Sequence, residues 1–150
     1  MSQREIQSMP VAAKYLGAAG IFPFAGLVLL VLFASKDSQK QFGLSAFTCY
    51  SAIILSFLGG IRWGAALPLP AFQLLIRAVL PSLVGFACLL LKPEQALPFL
   101  CLAFMAVGWS DSTRAAHALW PDWFKRLRLA LSVAVISLHL ILLLHIKQVI

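Results

Sequence analysis

Five apolar stretches, each about as long as a bilayer core is thick, leave this chain little choice of fold. They run Tyr15–Ala34, Leu44–Leu67, Ala71–Leu91, Gln95–Leu119 and Leu127–Ile146. A helix rises about 1.5 Å per residue, so about 20 residues cross a hydrocarbon layer of about 30 Å. Backbone polar groups find no water at that depth and must bond within their own segment, which selects helices. The expected fold is therefore all-α: an integral membrane bundle of five transmembrane helices, forming a single domain over residues 1–150.

Composition agrees with that expectation. Charged residues make up 11% of the chain, against roughly 25% in soluble domains, so polar surface for a water-facing body is missing. The formal net charge of +7 could suggest nucleic acid. The basic residues, however, are scattered at helix ends, with no basic helix or aromatic–basic sheet pattern. Positive flanks on membrane helices account for them, and no nucleic-acid partner is expected. Cys49, Cys88 and Cys101 are isolated, which argues against a disulfide framework or a zinc site. The first apolar run exceeds a signal-peptide core of about 7–15 residues and is read as a retained helix.

With five crossings the termini lie on opposite sides. Arg4, Lys14, Arg62, Arg77, Arg114, Lys125, Arg126 and Arg128 then fall on one side, and Lys36, Lys40, Lys92 and Lys147 on the other. Basic residues gather on the cytoplasmic side of membrane proteins, which places the N-terminus in the cytoplasm and the C-terminus in the periplasm. The rise per residue brings Arg62, Arg77, Asp111 and Arg114 to one level near the inner boundary. Trp63, Trp109, Trp120 and Trp123 fall in the same layer, where interfacial indoles concentrate.

Asp111 is the one acid inside an otherwise apolar stretch. A bare carboxylate in hydrocarbon costs several kcal/mol, so it needs a partner. Arg62, Arg77 and Arg114 are the candidates. A salt bridge that only locks helices together is the bland outcome. The functional one is a ligand or partner site built from Arg62, Trp63, Arg77, Trp109, Asp111, Arg114 and Trp123. In the second stretch Ala52, Ser56, Gly60 and Gly64 recur every four residues, a small-residue stripe suited to close helix packing. Pro23 and Pro81 predict kinks in the first and third helices. His139 is expected to bond between helices, and no second deep histidine is present for a bis-His haem.

One family resemblance spans Leu16 to about Leu138. Its marks are the segment Tyr50–Gly64 with Gly59-Gly60-Ile61-Arg62-Trp63-Gly64, then Leu16-Gly17 with Pro23-Phe24, and Pro81-Ser82-Leu83. Pro121-Asp122-Trp123-Phe124-Lys125-Arg126-Leu127-Arg128 completes the series. Together these resemble domain of unknown function 3429, small multi-pass proteins of proteobacteria with a mitochondrial relative. The resemblance implies a five-helix protein of a bacterial inner membrane and brings no activity or catalytic residue. Phe124 stands where a tyrosine is expected.

An enzyme needs a nucleophile with a base, paired carboxylates or metal ligands in workable geometry. No such set can be placed at one depth here, so no catalysis, cofactor or metal is expected. The leading expectation is a non-catalytic inner-membrane protein, embedded in the lipid bilayer. It would bind an amphipathic or lipid-like small molecule, or a membrane protein, at the cytoplasmic leaflet. The alternative is a small transporter or channel acting as an oligomer, because a monomer offers few deep polar groups for a path.

Overall fold

The computed structural model describes residues 11–69, 72–112 and 120–149, with side chains to Lys147. Every regular element among them is a helix: α1 (Val11–Ala19), α2 (Ile21–Phe33), α3 (Asp37–Ala66), α4 (Phe72–Leu89), α5 (Pro93–Asp111) and α6 (Asp122–Val149). Four spans are long and apolar enough to cross a membrane: Val11–Phe33, Asp37–Ala66, Phe72–Leu89 and Asp122–Lys147. The remaining leg, α5, opens on Pro93, Glu94 and Gln95 and closes on Ser110 and Asp111, which makes it less apolar. It packs against α3, α4 and α6, and buries Leu97, Leu100, Phe104 and Val107 in the core.

The surface carries the membrane signature. Phe22, Phe33, Phe57, Phe86, Leu90 and Trp109 are exposed, a girdle of large apolar side chains that water would not tolerate. Lipid tails solvate it.

Helix limits differ from the apolar runs in an instructive way. α3 begins at Asp37 rather than Leu44, and α6 at Asp122 rather than Leu127. In both cases an acid in the first turn meets the positive end of the helix dipole. At α6 the Pro121 carbonyl accepts from the Phe124 and Lys125 amides (3.0 and 3.2 Å), so the helix is under way before the hydrophobic run starts.

The predicted kink at Pro23 appears as a break one turn earlier. α1 ends at Ala19 and α2 restarts at Ile21. Proline has no N–H to offer the carbonyl four residues back, and its ring crowds that carbonyl, so the interruption falls upstream of the residue causing it. The Tyr50 hydroxyl of α3 donates to the Gly20 carbonyl (3.0 Å) and ties the break to the bundle. Pro81, by contrast, lies inside an α4 that continues from Phe72 to Leu89.

The small-residue stripe needs correction. Ala52 is buried and Ser56 half-buried, but a Cβ added at Gly60 or Gly64 would meet nothing within 4 Å. The close approach is at Gly59, where a Cβ would lie 2.5 Å from the Ala78 carbonyl of α4. Gly85 of α4 approaches Ala52 in the same way, at 3.1 Å from its carbonyl oxygen. Four-residue steps overshoot one helical turn by about 40° each, so Gly60 and Gly64 rotate away from the seam. Steps alternating between three and four keep it in line, through Ala52, Leu55, Gly59, Arg62 and Ala66, all buried.

The interior of the bundle is filled by aromatic packing around a histidine. Phe24, Phe47 and Phe104 surround His139, with ring centroids 4.7–6.0 Å from the imidazole. His139 is wholly buried on α6; its Nε2 lies 3.2 Å from the Ser51 Oγ of α3, and its Nδ1 donates to the Val135 carbonyl (2.9 Å). Cys88 and Cys101 are buried, whereas Cys49 is exposed.

Candidate functional site: a buried charge cluster

The seam residue Arg62 ends in a cluster where α3, α5 and α6 meet. Arg62 lies just short of the end of α3, Asp111 is the last residue of α5, and Arg128 sits early in α6. They are 7%, 6% and 5% exposed. One Arg62 Nη donates to Asp111 Oδ1, and the other to Ser110 Oγ (3.1 Å). Arg128 takes the opposite oxygen: its Nε donates to Oδ2 (2.7 Å), and Nη2 lies close to the same atom. The carboxylate is thus held on both oxygens, by helices distant from each other in the chain.

The arrangement is asymmetric in charge. Two guanidinium groups face a single carboxylate, leaving an uncompensated positive charge in a buried site. It is asymmetric in hydrogen bonding too. Nη2 of Arg128 is taken up by the ion pair with Asp111, whereas its Nη1 is buried without an acceptor among the described residues, as is Nε1 of Trp120. The Trp120 and Phe124 rings flank that guanidinium, at 5.6 and 5.7 Å from Cζ to the centroids. These buried, unpaired atoms are all N–H donors. Among the described residues, no acceptor answers them.

Among the described residues, three clefts reach the cluster. A polar one runs beside Asp111, Arg128, Gly108 and Ser132 between α5 and α6. An apolar one, of about 210 Å³, lies between the α1–α2 leg, α3 and α6, and has Arg128 in its wall. The third, along α4 and α5, is shared by Arg62 and Arg77.

Of the residues singled out from sequence, Arg62 and Asp111 are in direct contact. Arg77 is exposed and borders the third cleft without joining Asp111 among the described ion pairs. Trp63 and Trp109 face outward, Trp109 with 80% of its surface exposed. Trp123 is half-buried against Phe124 (5.4 Å). Arg114 lies outside the described residues, as do His117 and Arg4. Sequence reasoning misses Arg128 as a partner of Asp111, because a helix beginning at Leu127 makes it one more basic residue at the membrane boundary. Pro121 followed by Asp122 is the helix-start signal that would have moved it inside.

An all-helical membrane bundle with a net-positive buried cluster at one end is the class of protein these features define. Comparison with known proteins then gives the family: the chain belongs to DUF3429, described as a protein family of unknown function, which matches residues 9–144. It is 34% identical over 143 residues to Transmembrane protein 69 of Xenopus tropicalis, covering 90% of this chain and 55% of that one. To Transmembrane protein 69 of Mus musculus it is 32% identical over 146 residues, with coverages of 91% and 57%. The chain thus spans just over half the length of these curated relatives. No solved structure matches it.

Proposed function

We propose that this protein is a non-catalytic binding module of a bacterial inner membrane, and that its charged end takes up an anionic or amphipathic molecule at the cytoplasmic leaflet. One observation carries the reading. Nη1 of the buried Arg128 and the buried Nε1 of Trp120 have no acceptor among the described residues, beside a cluster that already holds excess positive charge. Leaving buried donors unpaired costs about 1–3 kcal/mol each, which a bound anion recovers. Ion pairing that served only to lock the helices would need no such surplus of donors.

The same reading includes a fifth crossing, by α5. Its 19 residues span about 28 Å, and its polar first turn lies at the end opposite to the cluster. Lys14, Arg62, Arg77, Lys125, Arg126 and Arg128 sit at the cluster end, which supports a cytoplasmic N-terminus and a periplasmic C-terminus. A reporter active only in the periplasm is expected to work when fused after Ile150. An inactive fusion there, with an active one in the Trp120 turn, would reverse the orientation.

Binding is tested by purifying the protein in native lipid and identifying co-eluting species by mass spectrometry. A defined acidic species is expected with the wild-type protein and not with a folded Arg128→Gln variant. Solute or ion flux from the pure protein in liposomes, with no retained species, would count instead for transport.

A further inference from the structure

We infer that the occupant of this site is an acidic single-chain amphiphile, whose anionic head meets Arg128 and Trp120 and whose apolar chain lies in the cleft between the α1–α2 leg, α3 and α6. The inference rests on the binding reading above and adds the ligand class and a second subsite. Its basis is the composition of the cleft. Leu16, Ile54, Leu58, Leu131 and Val135 line it, and among its lining residues only Arg128 and Ser132 carry polar side chains. Gly17 and Gly20 thin its α1–α2 wall; a Cβ at Gly17 would already stand 3.2 Å from Leu131.

An apolar slot with a buried guanidinium in its wall, whose Nη1 has no acceptor among the described residues, matches a molecule with one long chain and one acceptor-rich, negatively charged end. A free inorganic anion would satisfy Arg128 and leave the slot empty. A neutral alcohol would fill the slot and leave the charge uncompensated. Access is sideways from the bilayer, because Leu16 and Phe57 at the rim are exposed on the lipid-facing surface. A chain therefore reaches the cleft without leaving hydrocarbon, while its head stays at the level of the charged helix ends.

The test measures equilibrium binding to the intact protein in nanodiscs of zwitterionic phosphatidylcholine, with dodecanoate, dodecyl phosphate, dodecanol and inorganic phosphate as probes. Saturable binding of both chain-bearing anions is expected, with dodecanol about tenfold weaker or worse and inorganic phosphate not retained. Ile54→Trp, which fills the cleft without touching the cluster, is expected to weaken dodecanoate about tenfold or more. Arg128→Gln should do the same. Trp120→Phe, which removes one donor and keeps an aromatic ring, should weaken both anions if Arg128→Gln does not fold.

Unchanged dodecanoate binding in Ile54→Trp, or inorganic phosphate bound as tightly as dodecyl phosphate, overturns the chain subsite and leaves the anion reading standing. Equal binding of dodecanol and dodecanoate, unaltered by Arg128→Gln or Trp120→Phe, overturns the anion reading itself. Failure of every probe to bind overturns both.

Discussion

Asp111→Asn is expected to lower the free energy of unfolding in detergent by about 3–5 kcal/mol, the usual cost of removing one member of a buried ion pair. The amide keeps the shape of the carboxylate and loses its charge. Arg62 and Arg128, now only 7% and 5% exposed, would face each other with nothing between them to offset repulsion. Either the helix ends separate to let water in, or the bundle loosens. Asp122→Asn is the control, since its side chain is 83% exposed and solvent screens its pair with Lys125 from one side. Such pairs contribute about 0–1 kcal/mol. Chemical unfolding of both variants, followed by far-ultraviolet circular dichroism, compares them; equal losses would remove the case for a buried cluster.

The second large effect belongs to Gly59. Substitution by alanine places a methyl carbon 2.5 Å from the Ala78 carbonyl oxygen, a backbone atom that cannot rotate aside. α3 and α4 must move apart, at an expected cost of about 1–3 kcal/mol, and Gly59→Leu should cost more. Gly60→Ala is the matched control. Its added methyl meets nothing within 4 Å, so the change should be near neutral or slightly stabilising. Thermal unfolding in the same detergent distinguishes the two; equal midpoints would place the seam elsewhere.

The contrast between these neighbours shows what the letters alone could and could not convey. Membrane helices were legible because apolar length is a one-dimensional property, and a bilayer imposes it directly. The seam was not, because it depends on phase. Ala52, Ser56, Gly60 and Gly64 stand out on the page through regular spacing, yet a four-residue repeat winds off the contact face. Ala52 and Gly59 on α3, meeting Gly85 and Ala78 on α4, make a quieter pattern that only pairing reveals.

The site was half legible for a related reason. Depth counting put Asp111 level with Arg62, and the two are joined. It also put Arg77 there, but the same level around a bundle includes faces that point outward, and Arg77 is on one of them. Arg128 was lost to a late helix boundary. The unpaired Nη and Nε1 atoms had no counterpart in the sequence at all, since an unfilled donor exists only once its surroundings are known.

The order in which the cluster's members occur along the chain bears on biogenesis. During synthesis the segment with Arg62 is made long before that with Asp111, and Arg128 follows last. Each ionised side chain must therefore wait near a headgroup, held at tolerable cost by its place close to a helix end. The triad closes only when the final segment arrives, so its formation can act as a late checkpoint on assembly, reporting that three separately synthesised pieces have found one another.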